Sequence, residues 1–117
     1  MPYPLTMTTL LHRSRNLFAK KEIVTRVDSG THRYTYGDFY RRVAKLAYVL
    51  TRMGITKGDR VATFAWNHHR HLEVYFAAPC MGAVLHTLNI RLFPDQFSYI
   101  VNNCRLMARV GPLKGSL

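Results

Sequence analysis

The feature that most constrains the fold is a strand-helix-strand pattern in the middle of the chain. Val61–Trp66 is an unbroken, mostly apolar run, and a helical segment, His69–Met81, follows it. Ala83–Thr87 is the second apolar run. Runs of this length, bounded by turn residues, are typical of strands buried on both faces of a parallel sheet. A helix between two such strands predicts parallel neighbours with the helix packed across one face.

Shorter patterns predict the elements on either side of this unit. Thr8–Phe18 has the apolar spacing of an amphipathic helix, and the β-prone runs Ile23–Val27 and His32–Thr35 are separated by turn residues that predict a hairpin. Helices are expected over 36–53, after a hydroxyl cap, and from Pro94 onward. We therefore predict an α/β fold with an N-terminal β-hairpin and an incomplete βαβα parallel-sheet unit.

The sequence after the last helix departs from this pattern. A further strand is expected there, but residues 105–117 contain no β-prone run of adequate length. Gly111–Gly115 superficially resembles a phosphate loop, yet it lacks the small residues ahead of the lysine and a following helix. We therefore divide the chain into a partial N-terminal subdomain over 1–103 and a divergent tail over 104–117 that we expect to be disordered.

The chain is strongly basic, with 17 Lys and Arg against 6 Asp and Glu and a net charge of +11. Such a charge attracts nucleic acid or anionic lipid when it is concentrated on one surface. Here the basic residues are spread along the chain, and the densest cluster, Arg41, Arg42 and Lys45, is expected on the wet face of a helix. Nucleic acid is therefore not a predicted partner.

The expected location of the protein in the cell rests on two sequence patterns that are not found. No run approaches the roughly 18 consecutive apolar residues of a spanning helix, so we expect at most peripheral contact with a membrane. The first residues, 1–5, have no basic segment leading into an apolar block, so no secretory signal is readable. We expect a cytoplasmic protein.

Three histidines in the segment Asn67–His71 raise the question of a metal site. Only His68 and His71 are spaced to share a helical face, no third ligand is evident, and Arg70 would repel a cation. We predict no metal site, and we expect histidines at a helix start that face solvent or pack on the sheet. No catalytic residue is predicted either, since the aspartates occupy turns or caps and Glu73 is a lone helical carboxylate.

The segment Thr87–Leu92 leaves the predicted carboxyl end of a parallel strand, where open α/β sheets bind their ligands. Asn89 and Arg91 are therefore candidate cofactor-binding residues beside a cleft. The alternative is structural: Asn89 caps the turn by hydrogen bonding, while Arg91 pairs with a helix C-terminus or with a carboxylate.

Several short segments between residues 58 and 102 form a combination that is characteristic of one enzyme family. They are Gly58–Ala62, Asn67, Arg70–Glu73, Tyr75–Ala77, Met81–Thr87, Asn89, Arg91–Leu92 and Tyr99–Asn102. This set resembles the acyl-CoA synthetase branch of the adenylate-forming, AMP-binding enzymes. Within that branch, His71–Glu73 and His86–Asn89 are most similar to bacterial medium- and long-chain fatty-acid–CoA ligases.

The resemblance implies the large domain of those enzymes and a two-step reaction. ATP and a fatty acid give an acyl-adenylate and pyrophosphate with the help of Mg²⁺, and the thiol of CoA then displaces AMP. The family's phosphate loop, nucleotide-binding motifs and catalytic lysine come later in the chain and have no counterpart here. We therefore expect an N-terminal fragment that binds none of ATP, Mg²⁺ and CoA by itself and is inactive alone.

The resemblance also implies a partner, because some family members form homodimers through the N-terminal region. Two further functions are kept as alternatives to the ligase fragment. One is a non-catalytic module that pairs with a full-length ligase. The other is a small basic nucleic-acid-binding protein, whose affinity would fall steeply with salt.

Overall fold

The computed structural model describes residues 6–103 and 108–110. Its elements, in chain order, are α1 (Met7–Phe18), β1 (Glu22–Val27), β2 (Gly30–Thr35), α2 (Tyr36–Arg52), β3 (Arg60–Thr63), α3 (His69–Cys80), β4 (Val84–Thr87), α4 (Pro94–Asn103) and β5 (Ala108–Val110). The α/β class, the hairpin and the strand-helix-strand unit are thereby confirmed.

The strands form two separate sheets. β1 and β2 pair as an antiparallel hairpin whose last pair is Val27 with Gly30, and Gly30 adopts a φ of +131° that favours glycine. β3 pairs in parallel with both β4 and β5, giving the order β4-β3-β5. The central strand β3 is fully buried at Val61, Ala62 and Thr63, as the apolar run predicts.

Three expectations about the strands are wrong in detail. β3 ends at Thr63 and not at Trp66, because the chain leaves the sheet there. β4 is not buried on both faces: it lies at the edge of the described sheet, where Val84 is 50 % exposed. A strand also follows α4, since residues 108–110 pair with β3. The other residues assigned to the tail, 104–107 and 111–117 with the Gly111–Gly115 segment, lie outside the described residues.

Helix α2 organises the core. The Thr35 hydroxyl accepts a hydrogen bond from the Asp38 backbone N–H at 3.1 Å, and the Asp38 carboxylate accepts one from the Thr35 N–H at 3.2 Å, which fixes the helix start. Phe39, Val43 and Leu50 are buried where α2 meets α3 and neighbouring elements. Among the described residues, no helix has the length and the apolar character that crossing a membrane requires.

Two glycine turns position β4 beside β3. The Gly58 N–H donates to the Gly82 carbonyl at 2.9 Å, and the Val84 N–H donates to the Asp59 carbonyl at 2.7 Å. Gly82 has a φ of +86°, and a Cβ there would lie 3.1 Å from Cγ of Lys57. The turn after α3 therefore requires glycine both for its backbone conformation and for the close approach of Lys57.

Candidate functional site

The strongest candidate site is the carboxyl end of the parallel sheet, which we call the sheet edge and define as residues 64–68 and 88–93. β3 ends at Thr63 and β4 at Thr87. The Leu88 N–H donates to the Thr63 carbonyl at 2.7 Å, so the two loops leave the sheet side by side. Ligands of open α/β sheets bind outside the carboxyl ends of the strands, which is where these loops begin.

Asn89 and Arg91 both lie exposed on the sheet edge. The Asn89 side-chain oxygen accepts a hydrogen bond from the Arg91 backbone N–H at 2.9 Å, so the capping alternative for Asn89 is observed. The Arg91 guanidinium forms no ion pair with a carboxylate in the part of the chain that the structure describes. Arg91 therefore presents an exposed positive charge at the sheet edge, and contact with a ligand stays a prediction for both residues.

Aromatic side chains also lie on the sheet edge, in the loop after β3. Phe64 contacts Phe97 of α4 with ring centroids 5.0 Å apart, which attaches α4 to the loop after β3. Trp66 is 49 % exposed on the same loop. The continuous apolar run predicts that both residues belong to the strand, whereas both follow its end at Thr63. An exposed indole and a guanidinium at one sheet edge are groups that stack on planar ligands or bind anions.

The histidines at the start of α3 have structural partners. The Nδ1 atom of His68 accepts a hydrogen bond from the His71 backbone N–H at 3.0 Å. His68 is therefore the N-cap of α3. The His71 Nε2 atom is hydrogen-bonded to the Thr63 hydroxyl at 2.9 Å, which ties α3 to β3. Burial lowers the pKa of His71 below its usual value, so the ring is neutral at neutral pH.

A second group of polar side chains lies where the hairpin meets α2 and α3. We call it the hairpin junction, and its members are His32, Tyr34, Arg42, His69 and Glu73. The rings of His32 and His69 stack with centroids 3.8 Å apart and planes 9° apart. Burial, with the nearby His32, lowers the pKa of His69 to about 4, so His69 is uncharged at neutral pH.

Glu73 is the centre of the hairpin junction, which corrects its description as a lone carboxylate. Its Oε1 atom accepts from the Arg42 Nε at 2.7 Å and from the Tyr34 hydroxyl at 3.2 Å, and the residue is only 4 % exposed. Burial and the Glu73 charge raise the pKa of Tyr34, which therefore stays a donor. The partners of Glu73 lie 31 and 39 residues away along the chain, so no local sequence pattern indicates this burial.

The structure offers no metal cage in the part that it describes. Among residues 6–103, no group of three or more His, Cys, Asp or Glu side chains is placed to hold a metal ion. The described contacts also bring together no nucleophile, base and orienting group at the sheet edge. The sheet edge offers an exposed indole at Trp66 and an exposed positive charge at Arg91.

The chain is similar to known proteins in sequence and in fold. The model of a family described as AMP-binding enzyme matches residues 11–113. A long-chain-fatty-acid–CoA ligase of Thermus thermophilus is 48 % identical over 104 residues, which are 88 % of this chain and 19 % of that protein. A medium-chain-fatty-acid–CoA ligase of Ectopseudomonas oleovorans is 40 % identical over 100 residues, which are 85 % of this chain and 18 % of that protein.

A solved structure gives the same result for the fold. The N-terminal domain of FACL13 from Mycobacterium tuberculosis superimposes with a TM-score of 0.81 at 25 % identity, over 92 % of this chain and 27 % of that one. The chain thus spans about a fifth of the length of the curated relatives it matches.

Proposed function

The chain belongs to the AMP-binding enzyme family, and on that premise we propose that it is part of a fatty acid–CoA ligase. The reaction of the whole enzyme would join ATP and a fatty acid into an acyl-adenylate and then transfer the acyl group to CoA. Adenylation makes chemical sense because it gives a poorly reactive carboxylate a good leaving group. The observation that carries the proposal is the family match, which extends over most of the chain.

Within that enzyme, we propose that residues 1–103 form a partial N-terminal subdomain whose sheet edge faces the ligand. Arg91 supplies a positive charge there for a phosphate or carboxylate group, while Asn89 shapes the turn that carries Arg91. Exposure of Arg91 and the position of both residues after β4 support this role. No catalytic residue is assigned to this chain.

The cofactors are proposed for the whole enzyme and not for this chain alone. ATP, Mg²⁺ and CoA are assigned to the complete ligase, and the positive charge proposed at Arg91 is not assigned to one of these cofactors in particular. We propose that the 117 residues by themselves have no turnover. The location in the cytoplasm also stays a prediction, which fractionation of cells that produce the protein would check.

The experiment that tests the ligase proposal is an exchange of segments. In the Thermus thermophilus ligase, the part that aligns with this chain is replaced by this chain's residues, and we call the product the chimeric ligase. We expect fatty-acid-dependent release of AMP from the chimeric ligase and none from the 117-residue chain. A chimeric ligase that folds but releases no AMP above the background without fatty acid would contradict the proposal.

A second candidate function is pairing with another ligase chain, either as an interaction module or as a homodimer. The observation that favours it is the position of β4, which is an outer strand of the described sheet and has Val84 half exposed. Light scattering of the chain mixed with a full-length ligase measures this pairing. A mixture that contains only the two separate species would remove this candidate.

A further inference from the structure

Thr63, the last residue of β3, is bonded to both neighbours of the sheet edge. Its backbone carbonyl accepts a hydrogen bond from the Leu88 N–H at 2.7 Å, which holds the start of the loop after β4. Its hydroxyl lies 2.9 Å from the Nε2 atom of His71 in α3. Thr63 is only 1 % exposed, so water does not compete for these bonds. The end of β3 is therefore fixed by a buried histidine as well as by the loop after β4.

The His71 ring also lies against the loop after β3, residues 64–68, which we call the Trp66 loop. Burial lowers the pKa of His71, and interaction of the ring with the Trp66 backbone opposes that shift, so this backbone is close to the ring. The Nδ1 atom of His71 is buried and completes no hydrogen bond within the described residues. The His71 backbone N–H donates to the Nδ1 atom of His68, where the Trp66 loop ends. His71 thus contacts the loop at several points.

His69, two residues earlier in α3, is almost as buried as His71 but packs against the hairpin. Its ring stacks on His32 of β2 with centroids 3.8 Å apart. The His71 ring instead contacts Tyr75, with centroids 4.8 Å apart, and the Thr63 hydroxyl. The two buried histidines of one helix turn therefore serve different regions of the molecule, which makes them a matched pair for experiments.

We propose that His71 is a positioning residue for the sheet edge and that Trp66 contacts the ligand. By holding Thr63 and the Trp66 backbone, His71 fixes the direction in which the Trp66 loop leaves the sheet and so the place of the exposed indole. Side chains that contact a ligand need such support, because displacements of about 1 Å are costly. This inference rests on the proposed function, in which the sheet edge faces the ligand.

Fluorescence of the 117-residue chain tests the positioning without ligase activity, because Trp66 is its single tryptophan. His71→Phe keeps a ring beside Tyr75 but removes both ring nitrogens. We expect emission at longer wavelength and stronger quenching by iodide, because a loosened loop exposes the indole further. The matched control, His69→Phe, should leave both properties unchanged even where it lowers stability. Unchanged Trp66 fluorescence in His71→Phe, or equal changes in the two variants, would overturn the proposal.

Two milder variants keep the test decisive if His71→Phe does not fold, and circular dichroism checks the helix content of each. Thr63→Val removes only the hydroxyl that His71 contacts, and Trp66 fluorescence should shift in the same direction. His71→Gln places an amide near the position of Nε2, so the bond to Thr63 and the original fluorescence should largely return. No shift in Thr63→Val, or a signal from His71→Gln as altered as that of Thr63→Val, would count against the proposal.

Kinetics of the chimeric ligase test the consequence for ligand binding. Trp66→Ala should raise the KM of one substrate, among fatty acid, ATP and CoA, about fivefold or more, with kcat within about twofold. His71→Phe should raise the KM of that same substrate, whereas His69→Phe should not. Because both changes act through the indole, adding His71→Phe to Trp66→Ala should raise the KM no further.

The contradicting results are distinct for the inference and for the proposed function. An effect of His71→Phe on KM that persists in full beside Trp66→Ala would show that His71 acts by another route, and unchanged KM values in Trp66→Ala would remove the ligand contact. Either result overturns the inference while the chimeric ligase stays active. A chimeric ligase that folds but releases no AMP before these variants are made contradicts the proposed function instead, and the fluorescence of Trp66 then decides whether His71 positions the loop.

Discussion

The hairpin junction and the sheet edge differ in how they use polar side chains. In the junction, Glu73 is buried and its partners come from two other elements. At the edge, Arg91 and Trp66 are exposed, and the hydrogen bond between Asn89 and Arg91 joins residues of one turn. The strongest shifts of pKa fall in the junction, at Tyr34 and His69.

The two regions show that a polar side chain in an unusual environment can serve either function or stability. Shifted pKa values often mark functional sites, but ion pairs that hold a fold together shift them too. In this chain the shifted groups join the hairpin to α2 and α3, and we expect them to act on stability. The sheet edge, which carries exposed polar and aromatic groups, is where we expect a ligand. Variants in both regions can test this division of roles.

The largest effect is expected at Glu73. Glu73→Ala leaves Arg42 without its carboxylate and Tyr34 without its acceptor, so the free energy of unfolding should fall by about 3 kcal/mol. Urea unfolding at pH 7 measures it. Glu22→Ala is the control, since its ion pair with Arg33 is exposed and worth at most about 0.5 kcal/mol. Similar losses in the two variants would show that the buried Glu73 contributes no more to stability than an exposed ion pair.

Acid should weaken the hairpin junction through His69. Because its pKa is about 4 in the folded chain, against the ordinary histidine value of 6.5, folding favours the neutral ring. This contribution is complete above pH 6.5 and is lost as pH falls toward 4, by about 1–3 kcal/mol. The facing groups His32, His68, Arg70 and Glu73 act on the same ring. Urea unfolding across this range measures the loss.

The control for the acid effect is His69→Phe, which keeps a ring against His32 but does not titrate. Its loss of stability between pH 6.5 and 4 should be smaller than that of the unchanged chain. Identical pH profiles would show that His69 contributes nothing to the acid sensitivity.

A smaller effect is expected at the link between β2 and α2. Thr35→Ala removes the hydroxyl that accepts from the Asp38 N–H, which should cost about 1 kcal/mol of stability. Thr51→Ala serves as the control, because the Thr51 hydroxyl only donates to the Ala47 carbonyl near the exposed helix end. A loss at Thr51 equal to that at Thr35 would show that capping of α2 is unimportant.

Local signals account for the parts of the fold that the sequence predicts well. Both ends of α2 follow from residues close in sequence: the Thr35 and Asp38 capping box at the start and Gly54, with a φ of +97°, after the end. The strand-helix-strand unit follows from the lengths of its apolar runs. The turn at Asn89 likewise depends on a hydrogen bond over two residues.

The parts that the sequence does not predict depend on distant contacts. Tyr34 and Glu73 are 39 residues apart in sequence, and Arg42 and Glu73 are 31 apart, so no local residue spacing predicts the hairpin junction. β5 is only three residues long, and it is recognised as a strand only because it pairs with β3. The apolar run continues past the end of β3 to Trp66, so it does not indicate that the chain leaves the sheet after Thr63. Apolar composition alone does not show where the backbone turns away from the sheet.

The smallest effect on stability is expected at the sheet edge. Arg91→Ala should change the free energy of unfolding by less than about 0.5 kcal/mol, since its side chain is exposed and pairs with no carboxylate within the described residues. Urea unfolding of the chain measures it. A loss comparable to that of Glu73→Ala would show that Arg91 belongs to the structural framework.

The division of roles is tested most directly by measuring activity and stability together in the chimeric ligase. Arg91→Ala should lower kcat/KM for fatty-acid-dependent AMP release by about tenfold or more and leave the thermal midpoint unchanged. Glu73→Gln should lower the thermal midpoint and leave kcat/KM, measured well below that midpoint, within about twofold. The reverse pattern, with activity lost at Glu73 and only stability lost at Arg91, would contradict the account.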